Sequence, residues 1–376
     1  MAKINIMYLY SSKGFGGMVH NISLLANHLN KNDFQIFAIA LTNAGDKESE
    51  LELNKDSGVI FRRIDEKKKF DPASIGKIAG LIKEFDVDIL SCHGYKADIY
   101  GFILRRFYNV RAKIITVAHG WVTPGLKLQF YYLLDKLAIG SFDKVILVSR
   151  ALTKELKGFM IPKSKIVCID NAVDIREFAR QGDTAETRRA LNINDDDFVA
   201  MFAGRLSKEK NVITILLAVK ELAGMGKKIK LLVAGDGPLR HKLTEAAKKL
   251  GIEEYVIFAG YQKDIKKIYS ISDVYVSASF KEGISNSLLE AQAMGIPCIA
   301  SDIGGNNDIV KDGVNGFLFK PEDHRCLAKK LGVLMGDKVL AGKFILEGQR
   351  IVRERFSLGE RVLKFEEMYR GIISKR

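Results

Sequence analysis

Two glutamates stand eight residues apart in the stretch KEGISNSLLEAQAMGIPCIASDIGG, which runs from Lys281 to Gly305. Glu282 falls in a predicted loop and Glu290 in the predicted helix that follows, so the two carboxyl groups are too far apart to share one proton. An ionised carboxylate is a hydrogen-bond acceptor, and it suits the paired hydroxyls of a ribose or a hexose. The spacing therefore predicts two acceptors that reach different parts of one extended ligand.

Two cations occupy the loop after another predicted strand, in AGRLSKEKN, Ala203 to Asn211. Arg205 and Lys210 would lie just past a strand end and near the start of the next helix. Fixed cations beside a helix N-terminus suit a diphosphate. Read alone, this loop is also compatible with an ordinary solvated surface.

Glycines follow the first strand in SSKGFGGMV, Ser11 to Val19. Gly14, Gly16 and Gly17 allow a sharp bend or a close backbone approach to a ligand, and the next helix supplies N–H groups. The spacing is neither GxGxxG nor a phosphate-binding GK[ST] loop, so a tight turn without a ligand stays an alternative. The AGDGPLR segment is interpreted as a strand-to-helix turn.

Short β-rich runs that alternate with helical patterns must position these loops. The first half offers KINIMYLY, QIFAIAL, VIFRRI, DILSCH, KIITVAH and KVILVS, and the second offers FVAMFAG, KLLVAG, YVIFAG, VYVSAS, PCIAS and GFLF. Strands that are apolar on both faces are typical of a parallel sheet covered by helices on each side. The pattern predicts an α/β protein of two doubly wound Rossmann-like domains with a cleft between them, residues 1–179 and 198–355, joined by a polar linker at 180–197.

The composition is that of a soluble globular protein. The 376 residues are 47% hydrophobic and 28% charged, and no apolar run is long enough to predict a transmembrane helix. The N-terminus lacks the pattern of a signal peptide. The four cysteines stand far apart without a CxxC pair, which argues against disulfides and a zinc site and favours the cytoplasm.

Positive charge is concentrated in one segment. Of the net +14, a surplus of +9 falls between Gly101 and Lys165, where twelve Lys and Arg face three acids. A solvated basic face is one interpretation, and contact with an anionic membrane surface is the other. A nucleic-acid partner is not expected, because no recognised binding motif occurs and the chain has one Trp. The cations expected on this face are Arg105, Arg106, Arg111, Lys113, Lys127, Lys154 and Lys157.

The stretch EGISNSLLEAQAMGIPCIASDIGG resembles the E-x7-E signature of retaining glycosyltransferases of family GT4, which have the GT-B fold. The resemblance extends to GFGG, AHG, VS, IDNAVD, GRLSKEKN, GDGP and DGVNGFLF, in family order over almost the whole chain. The ending RFSLGERVLKFEEMYRGI resembles the terminal helix, residues 356–376, that crosses back to the first domain in this family.

The resemblance implies a role for each matching residue. Arg205 and Lys210 would hold the donor diphosphate, Glu290 the nucleotide ribose and Glu282 the transferred sugar. His119 would lie beside the donor sugar, with His93 as the lesser candidate. The other implied contacts with donor or acceptor are Gly16, Gly17, Ser285, Asn286, Ser287 and Leu288.

Two positions depart from the family pattern. The family often has GGxxE, whereas here Gly304 and Gly305 are followed by Asn306, Asn307 and the shorter acid Asp308. The family phrase PNGVD here has Asp170 in place of Pro and Ala172 in place of Gly. The contact at the sugar and the role of the second loop are therefore less defined.

The sequence thus predicts a cytoplasmic enzyme that moves a sugar from a UDP- or GDP-linked donor to a hydroxyl acceptor. If the basic segment contacts an anionic surface, the enzyme is peripheral at the inner face of the membrane. The resemblance implies retention of configuration, front-face attack, no bound divalent metal and a cell-surface polysaccharide or lipid-linked acceptor. The sequence DVD at Asp86–Asp88 precedes a strand and is not expected to bind metal. A same-fold epimerase or phosphorylase, a catalytically inactive relative and a non-enzymatic protein that binds anionic surfaces are the alternatives.

Overall fold

The chain folds into two compact units. The first comprises Met1–Asn171 together with Leu358–Arg376, and the second comprises Ala172–Ser357. The structure is a computed structural model that describes residues 3–11, 16–43, 51, 53–54, 56–121, 126–178 and 184–374, without the side chains of residues 126 and 127.

The first unit is built on a seven-stranded parallel sheet in the order β3-β2-β1-β4-β5-β6-β7. Its strands are β1 (Ile4–Ser11), β2 (Phe34–Asn43), β3 (Ile60–Glu66), β4 (Ile89–His93), β5 (Lys113–Ala118), β6 (Lys144–Leu147) and β7 (Ile166–Cys168). Its helices are α1 (Gly17–His28), α2 (Pro72–Glu84), α3 (Tyr95–Phe107), α4 (Leu126–Ile139) and, from the end of the chain, α13 (Leu358–Ile373).

The second unit is built on a six-stranded parallel sheet in the order β10-β9-β8-β11-β12-β13. Its strands are β8 (Phe198–Ala203), β9 (Ile229–Ala234), β10 (Val256–Gly260), β11 (Val274–Ser277), β12 (Cys298–Ser301) and β13 (Gly316–Phe319). Its helices are α5 (Ala185–Ala190), α6 (Val212–Gly224), α7 (Arg240–Lys249), α8 (Ile265–Ser270), α9 (Asn286–Ala293), α10 (Gly304–Ile309), α11 (His324–Gly336) and α12 (Lys338–Arg355).

Burial on both faces explains why the strands carry continuous apolar runs. In β1, the five residues from Ile6 to Tyr10 are fully buried, and the strand pairs in parallel with β2 on one side and with β4 on the other. Side chains of successive residues point to opposite faces of a sheet, so both faces must be covered by helices or loops. The two doubly wound sheets predicted from the sequence are confirmed.

Among the strands of the described residues, only β7 was absent from the predicted strands. It has three residues, all partly or fully exposed, and lies at the edge of the sheet beside β6. Ile166 and Val167 pack against the core of the first unit, and the apolar run Ile166–Ile169 is four residues long. A run this short does not by itself distinguish a strand from a loop.

The segment predicted as a linker, 180–197, contains helix α5 and packs on the second unit. Arg188 donates to the backbone oxygens of Ile271, at 3.1 Å, and of Asp197, at 2.7 Å, and Ile193 lies in the core of the unit. The second unit begins at Ala172 rather than after the linker. A polar segment can thus belong to a folded unit, because here a polar side chain donates hydrogen bonds to backbone carbonyls instead of to water.

The terminal helix α13 is part of the first unit's core. Phe365 and Tyr369 are fully buried, and the hydroxyl of Tyr369 lies 3.2 Å from that of Tyr8 in the central strand β1. The guanidinium of Arg361 donates to Oδ1 of Asn21 in α1 at 2.7 Å. Within the described part of the chain, no helix has the length and apolar character needed to cross a membrane.

Candidate functional site

Each sheet has a point where the chain leaves its central strand in one direction and later returns on the other side. In the second unit this point lies between β8 and β11, and in the first it lies between β1 and β4. Ligands of open α/β sheets bind beyond the carboxyl ends of the strands at such points. Arg205 and Lys210 follow β8, and Glu282 follows β11. The predicted donor residues are thus positioned by the topology of the second unit.

Lys210 and Glu282 form an ion pair between these two loops. Oε1 of Glu282 also accepts a hydrogen bond from Oγ of Ser279 at 2.8 Å. The Lys210 and Glu282 side chains are 22% and 14% exposed, so the pair is accessible from one side. The sequence predicts a role for each residue separately, and the structure shows that they contact one another.

Backbone contacts hold the two loops in register. The amide of Phe280 donates to the carbonyl of Glu209 at 2.8 Å, and Nδ2 of Asn211 donates to the carbonyl of Ala278 at 3.2 Å. Asn211 has a left-handed backbone with φ of 49°, a conformation that Asn tolerates better than most residues. This turn directs the chain from the Lys210 loop into α6.

The AGDGPLR segment braces the loop that carries Arg205. The amide of Leu206 donates to the carbonyl of Asp236 at 2.9 Å, and the amide of Leu239 donates to the carbonyl of Leu206 at 2.9 Å. A Cβ at Gly237 would lie 2.5 Å from the carbonyl oxygen of Leu206, so only glycine permits this approach. The segment is therefore a support for the neighbouring loop as well as a turn. Arg205 itself is exposed and forms no ion pair with any residue that the structure describes.

Glu290 lies on α9, where it is half-buried. Its Oε2 accepts a hydrogen bond of 2.9 Å from the hydroxyl of Tyr269, which also contacts the carbonyl of Ser287 at 3.0 Å. Burial raises the pKa of Glu290 to about 7, against the opposing effect of the Tyr269 hydrogen bond and with a smaller contribution from Glu177. Near neutral pH this carboxyl group therefore exchanges between a donor and an acceptor form.

The N-cap and first turn of α9 carry four residues that the resemblance assigns to ligand contacts, Ser285 to Leu288. Ser285 precedes the helix without a side-chain cap, and its Oγ instead lies 3.3 Å from Oγ of Ser287. Ser287 also accepts from the hydroxyl of Tyr275 at 2.8 Å. The side chain of Leu288 is fully buried in the core, so only its backbone can take the predicted ligand contact. Asn286 begins the helix.

The paired glycines at the end of the opening stretch pack against the Glu282 loop. A Cβ on Gly305 would lie 1.4 Å from the carbonyl oxygen of Gly283, a distance that no side chain can occupy. Behind them, Asn306 donates to Oγ of Ser301 at 3.1 Å, and Ser301 donates to the carbonyl of Ser279 at 2.6 Å. These buried groups support the loop from which Ser279 reaches Glu282. Asp308, expected as a shorter acid near the sugar, lies on α10 and is half-buried.

His93 and His119 meet at the carboxyl edge of the first sheet. Nδ1 of His93 lies 3.2 Å from Nε2 of His119, and Nε2 of His93 lies 3.1 Å from Oγ of Ser91. Burial, followed by the positive charge of Arg361, lowers the pKa of His119 to about 3. The pKa of His93 is also well below its usual value because of burial, His119 and Arg361. Both rings are therefore neutral at physiological pH, suited to hydrogen bonds with hydroxyls rather than to pairing with an anion.

Gly16 and Gly17 form the start of α1 at the same sheet edge. Gly16 is the N-cap residue, and its carbonyl accepts from the amide of His20 at 2.9 Å. Both glycines are exposed, and a Cβ on Gly16 would meet no atom within 4 Å. Gly14, which the sequence places in the same loop, lies outside the described residues.

The Asp86–Asp88 sequence lies at the opposite, amino end of β4. Oδ2 of Asp88 accepts from the amide of Asn5 at 3.0 Å, and Asp86 has a left-handed backbone with φ of 43°. The two acids therefore belong to the helix-to-strand connection. Throughout the residues that the structure describes, no group of three or more His, Cys, Asp or Glu is arranged to hold a metal ion.

Three residues around these sites were not identified from the sequence. Tyr269 holds Glu290, Ser279 holds Glu282, and Arg361 lies buried near the histidines. Tyr269 and Arg361 sit in helices where their residue types are common, and each reaches its partner across a long stretch of chain. The sequence pattern offers no signal for such contacts, except that Ser279 lies in the loop after β11, three residues before Glu282.

Comparison with known protein families finds a match in each of the two units. The family described as Glycosyl transferases group 1 matches residues 183–350, and the family described as Glycosyltransferase Family 4 matches residues 15–177. An Escherichia coli relative, UDP-Gal:alpha-D-GlcNAc-diphosphoundecaprenol alpha-1,3-galactosyltransferase, is 30% identical over 311 residues, covering 80% of this chain and 79% of its own.

One further relative and one solved structure are also similar to this chain. The Staphylococcus aureus capsular polysaccharide biosynthesis glycosyltransferase CapM is 26% identical over 277 residues, covering 72% of this chain and 71% of its own. The crystal structure of Anabaena Alr3699/HepE in complex with UDP and glucose has the same fold, with a TM-score of 0.86 and 21% identity, covering 97% of this chain and 99% of that one.

Proposed function

Because the chain belongs to glycosyltransferase family 4, we propose that it is a retaining hexosyltransferase that moves a sugar from a UDP- or GDP-linked donor to a hydroxyl acceptor. The observation that carries the proposal is the Lys210–Glu282 pair at the switch point of the second sheet. Arg205 adds a second cation on the same loop, and Glu290 adds a carboxyl group on the helix after Glu282. Cations and carboxylates together suit a ligand that carries both phosphates and hydroxyls.

The cations act on the leaving group. When the sugar leaves, negative charge develops on the nucleoside diphosphate, and Arg205 and Lys210 stabilise it electrostatically. Lys210 has three N–H donors and uses one toward Glu282, so it can bind phosphate without releasing the carboxylate. Arg205 is available for a bidentate contact with phosphate oxygens.

The carboxylates act on the hydroxyls of the donor. Glu290 accepts from the nucleotide ribose, and Glu282 accepts from the transferred sugar. Because Oε1 of Glu282 is already held by Lys210 and Ser279, the group is placed as a fixed acceptor rather than as a mobile nucleophile. Retention then follows from front-face attack, in which the acceptor hydroxyl enters on the side from which the diphosphate departs. Its oxygen bonds to the anomeric carbon as the bond between that carbon and the phosphate oxygen breaks, and its proton passes to the departing phosphate oxygen.

No divalent metal takes part in the proposed reaction, since Arg205 and Lys210 supply the positive charge that the diphosphate needs. Of the residues in the first unit, neutral His119 is proposed as a contact of the donor sugar, and Gly16 and Gly17 are proposed as backbone contacts of the phosphates or the acceptor. Activity that survives a chelator would agree with this assignment, and activity restored only by a divalent ion would contradict it.

The acceptor is proposed to be a sugar, free or linked to a lipid, in the synthesis of a cell-surface polysaccharide or glycolipid. The galactosyltransferase relative is named for a diphosphoundecaprenol-linked acceptor, and CapM for capsular polysaccharide. An anionic membrane surface on the cytoplasmic side is the further partner proposed. No nucleic acid is expected to bind.

Titration calorimetry with UDP-, GDP- and ADP-sugars tests the donor site. Arg205→Ala and Lys210→Ala each remove charge-assisted hydrogen bonds of about 1.5–3 kcal/mol, so we expect the affinity for the preferred donor to fall roughly ten- to a hundredfold. Lys208→Ala is the matched control, because Lys208 is an exposed cation in the same loop.

Affinities within twofold of wild type for both variants would contradict the donor assignment. Retention has its own test, since the anomeric configuration of the product can be read by proton NMR and compared with that of the donor. An inverted product would leave the donor site intact and exclude the front-face mechanism.

A further inference from the structure

Helix α4 of the first unit turns large apolar side chains toward solvent. Phe130, Leu133, Leu134 and Leu137 are 57%, 46%, 37% and 61% exposed, at the spacing of one helical face. A surface helix ordinarily places its polar side chains outward and its apolar side chains toward the core. An exposed apolar stripe of this size marks an interaction surface.

The opposite side of α4 is firmly attached to the unit. Ile139 is fully buried, and Oδ2 of the buried Asp135 accepts a hydrogen bond of 2.6 Å from Nε1 of Trp121. The helix therefore cannot rotate its apolar stripe inward without leaving a buried carboxyl group and an indole N–H unpaired. The exposed stripe is a fixed feature of the folded unit.

Elements that contact α4 also carry exposed apolar side chains. Helix α3 packs against α4, and Phe107 and Tyr108 at its end are 73% and 45% exposed. On the other side, Nζ of Lys136 lies 5.4 Å from the ring centroid of Phe159 and 3.6 Å from Glu155, which brings the loop with the fully exposed Met160 beside α4.

The acids of this segment are engaged, which leaves the surface positive. Asp143 pairs with Arg105 at 2.9 Å and with Lys113 at 3.8 Å, Glu155 pairs with Lys136, and Asp135 bonds to Trp121. Six exposed cations of this segment form no ion pair within the described residues, namely Arg106, Arg111, Arg150, Lys154, Lys157 and Lys163. Arg105 and Lys113 are thus neutralised, unlike the expectation from sequence, and the side chain of Lys127 lies outside the described residues.

We propose that the apolar stripe of α4, with Phe107 and Met160, docks into the surface of an anionic phospholipid bilayer. An apolar face surrounded by unpaired cations matches the interfacial region of such a membrane, where side chains enter the acyl boundary and cations meet the headgroups. A second copy of the chain fits less well, because a two-fold interface would bring two positive surfaces together. The proposal rests on the proposed function in one respect: docking at a membrane would bring the enzyme to a lipid-linked acceptor.

Co-sedimentation with vesicles tests the docking surface. Vesicles of pure phosphatidylcholine and vesicles with phosphatidylglycerol are compared at low and high salt, using the full chain. We expect binding to phosphatidylglycerol vesicles to exceed binding to phosphatidylcholine by on the order of tenfold or more at low salt, since each cation near the surface contributes about a fivefold factor. High salt should reduce the difference.

Matched variants separate this surface from general charge and hydrophobicity. Leu133→Gln with Leu137→Gln should lower vesicle binding about tenfold, whereas Val339→Gln with Leu346→Gln, at exposed positions on α12, should leave it unchanged. Arg106→Gln with Lys157→Gln should weaken binding, and Lys248→Gln with Lys249→Gln, on α7, should weaken it less. All these residues are exposed, so equal thermal midpoints verify that the variants fold.

Three results would overturn the proposal: no binding to anionic vesicles at low salt, equal binding to both vesicle types, or stripe variants that bind like wild type. Self-association that the stripe variants abolish, in a chain that binds no vesicles, would assign the surface to a second copy instead. The vesicle-binding measurement does not depend on donor binding. A chain that docks but binds no nucleotide sugar would refute the glycosyltransferase proposal alone, and the reverse result would refute the docking alone.

Discussion

Glu290 combines two properties that conflict at neutral pH. Its proposed partner is a ribose diol, which needs a carboxylate acceptor, yet burial holds the pKa of the group at about 7. The folded protein therefore retains the proton well above the ordinary pKa of 4.5. For an acid whose pKa is raised by folding, the contribution to stability is lost as pH rises from about 4.5 to about 7.

Donor affinity should consequently rise with pH. Between pH 6 and pH 8 the ionised fraction of a group with a pKa of about 7 increases about tenfold, and we expect affinity for a nucleotide sugar to increase by up to the same factor. A nucleotide sugar is the suitable probe because its diphosphate has no proton that titrates in this range. Calorimetry at pH 6, 7 and 8 measures the effect.

Glu290→Gln is the control for that measurement, since the amide cannot ionise. The variant should bind more weakly than wild type at pH 8, with an affinity that no longer depends on pH. If the variant keeps the pH dependence of wild type, another group is responsible and Glu290 does not bind the ribose as its carboxylate.

At the scale of elements, the site depends on the close packing of the loop after β11 against the start of α10. Gly305 allows the backbone of α10 to touch Gly283, and Ser301 and Asn306 hold the same loop from below. Glu282 lies in this loop, and the packing of the loop positions it. The need for glycine at Gly305 is thus explained by the close approach of two backbones, since φ at Gly305 is not in the left-handed region.

Gly305→Ala should displace the Glu282 loop. Overpacking commonly costs about 1–3 kcal/mol, so we expect a lower thermal midpoint together with weaker sugar-nucleotide binding. Gly342→Ala is the matched control: this glycine lies inside α12 and a Cβ there meets no atom within 4 Å. Because Ala favours helix by up to about 1 kcal/mol over Gly, the control should be neutral or stabilising. Equal effects of the two substitutions would show that the close approach is unimportant.

At the scale of the whole molecule, the chain completes its first unit with its last helix. The core of that unit includes Phe365 and Tyr369 from α13, whereas the second unit has separate cores. Residues at the two ends of the sequence therefore stabilise one another. A substitution that disrupts the packing of α13 should lower the stability of the first unit and leave that of the second largely unchanged.

Phe365→Ala tests this coupling. Removing a buried Phe side chain costs about 3–5 kcal/mol, so hydrogen exchange should show lost protection in β1, β4 and α1 and little change in β8, β9 and α6. Leu363→Ala, at a 53% exposed position on the same helix, is the control and should change stability by no more than about 0.5 kcal/mol. Equal loss of protection in both units would contradict the separation.

The amino-acid sequence by itself determines the class of fold and the location of the donor loops. Twelve of the thirteen strands that the described residues form follow from apolar runs, because strands covered on both faces admit few polar residues. Arg205, Lys210 and Glu282 were found because a parallel sheet places the loops after its strands along one edge, so position in the sequence implies position at the site.

Contacts between distant residues were decided by the tertiary structure alone. The Lys210–Glu282 pair, the Tyr269 hydrogen bond to Glu290 and the buried Arg361 near His119 depend on distances and angles that sequence spacing does not specify. The same holds for α4, where a helical repeat of apolar residues predicts a core-facing side. The packing of Asp135 and Ile139 inward leaves Phe130 and Leu137 exposed instead. Periodicity identifies the faces of a helix, and only its neighbours determine which face is buried.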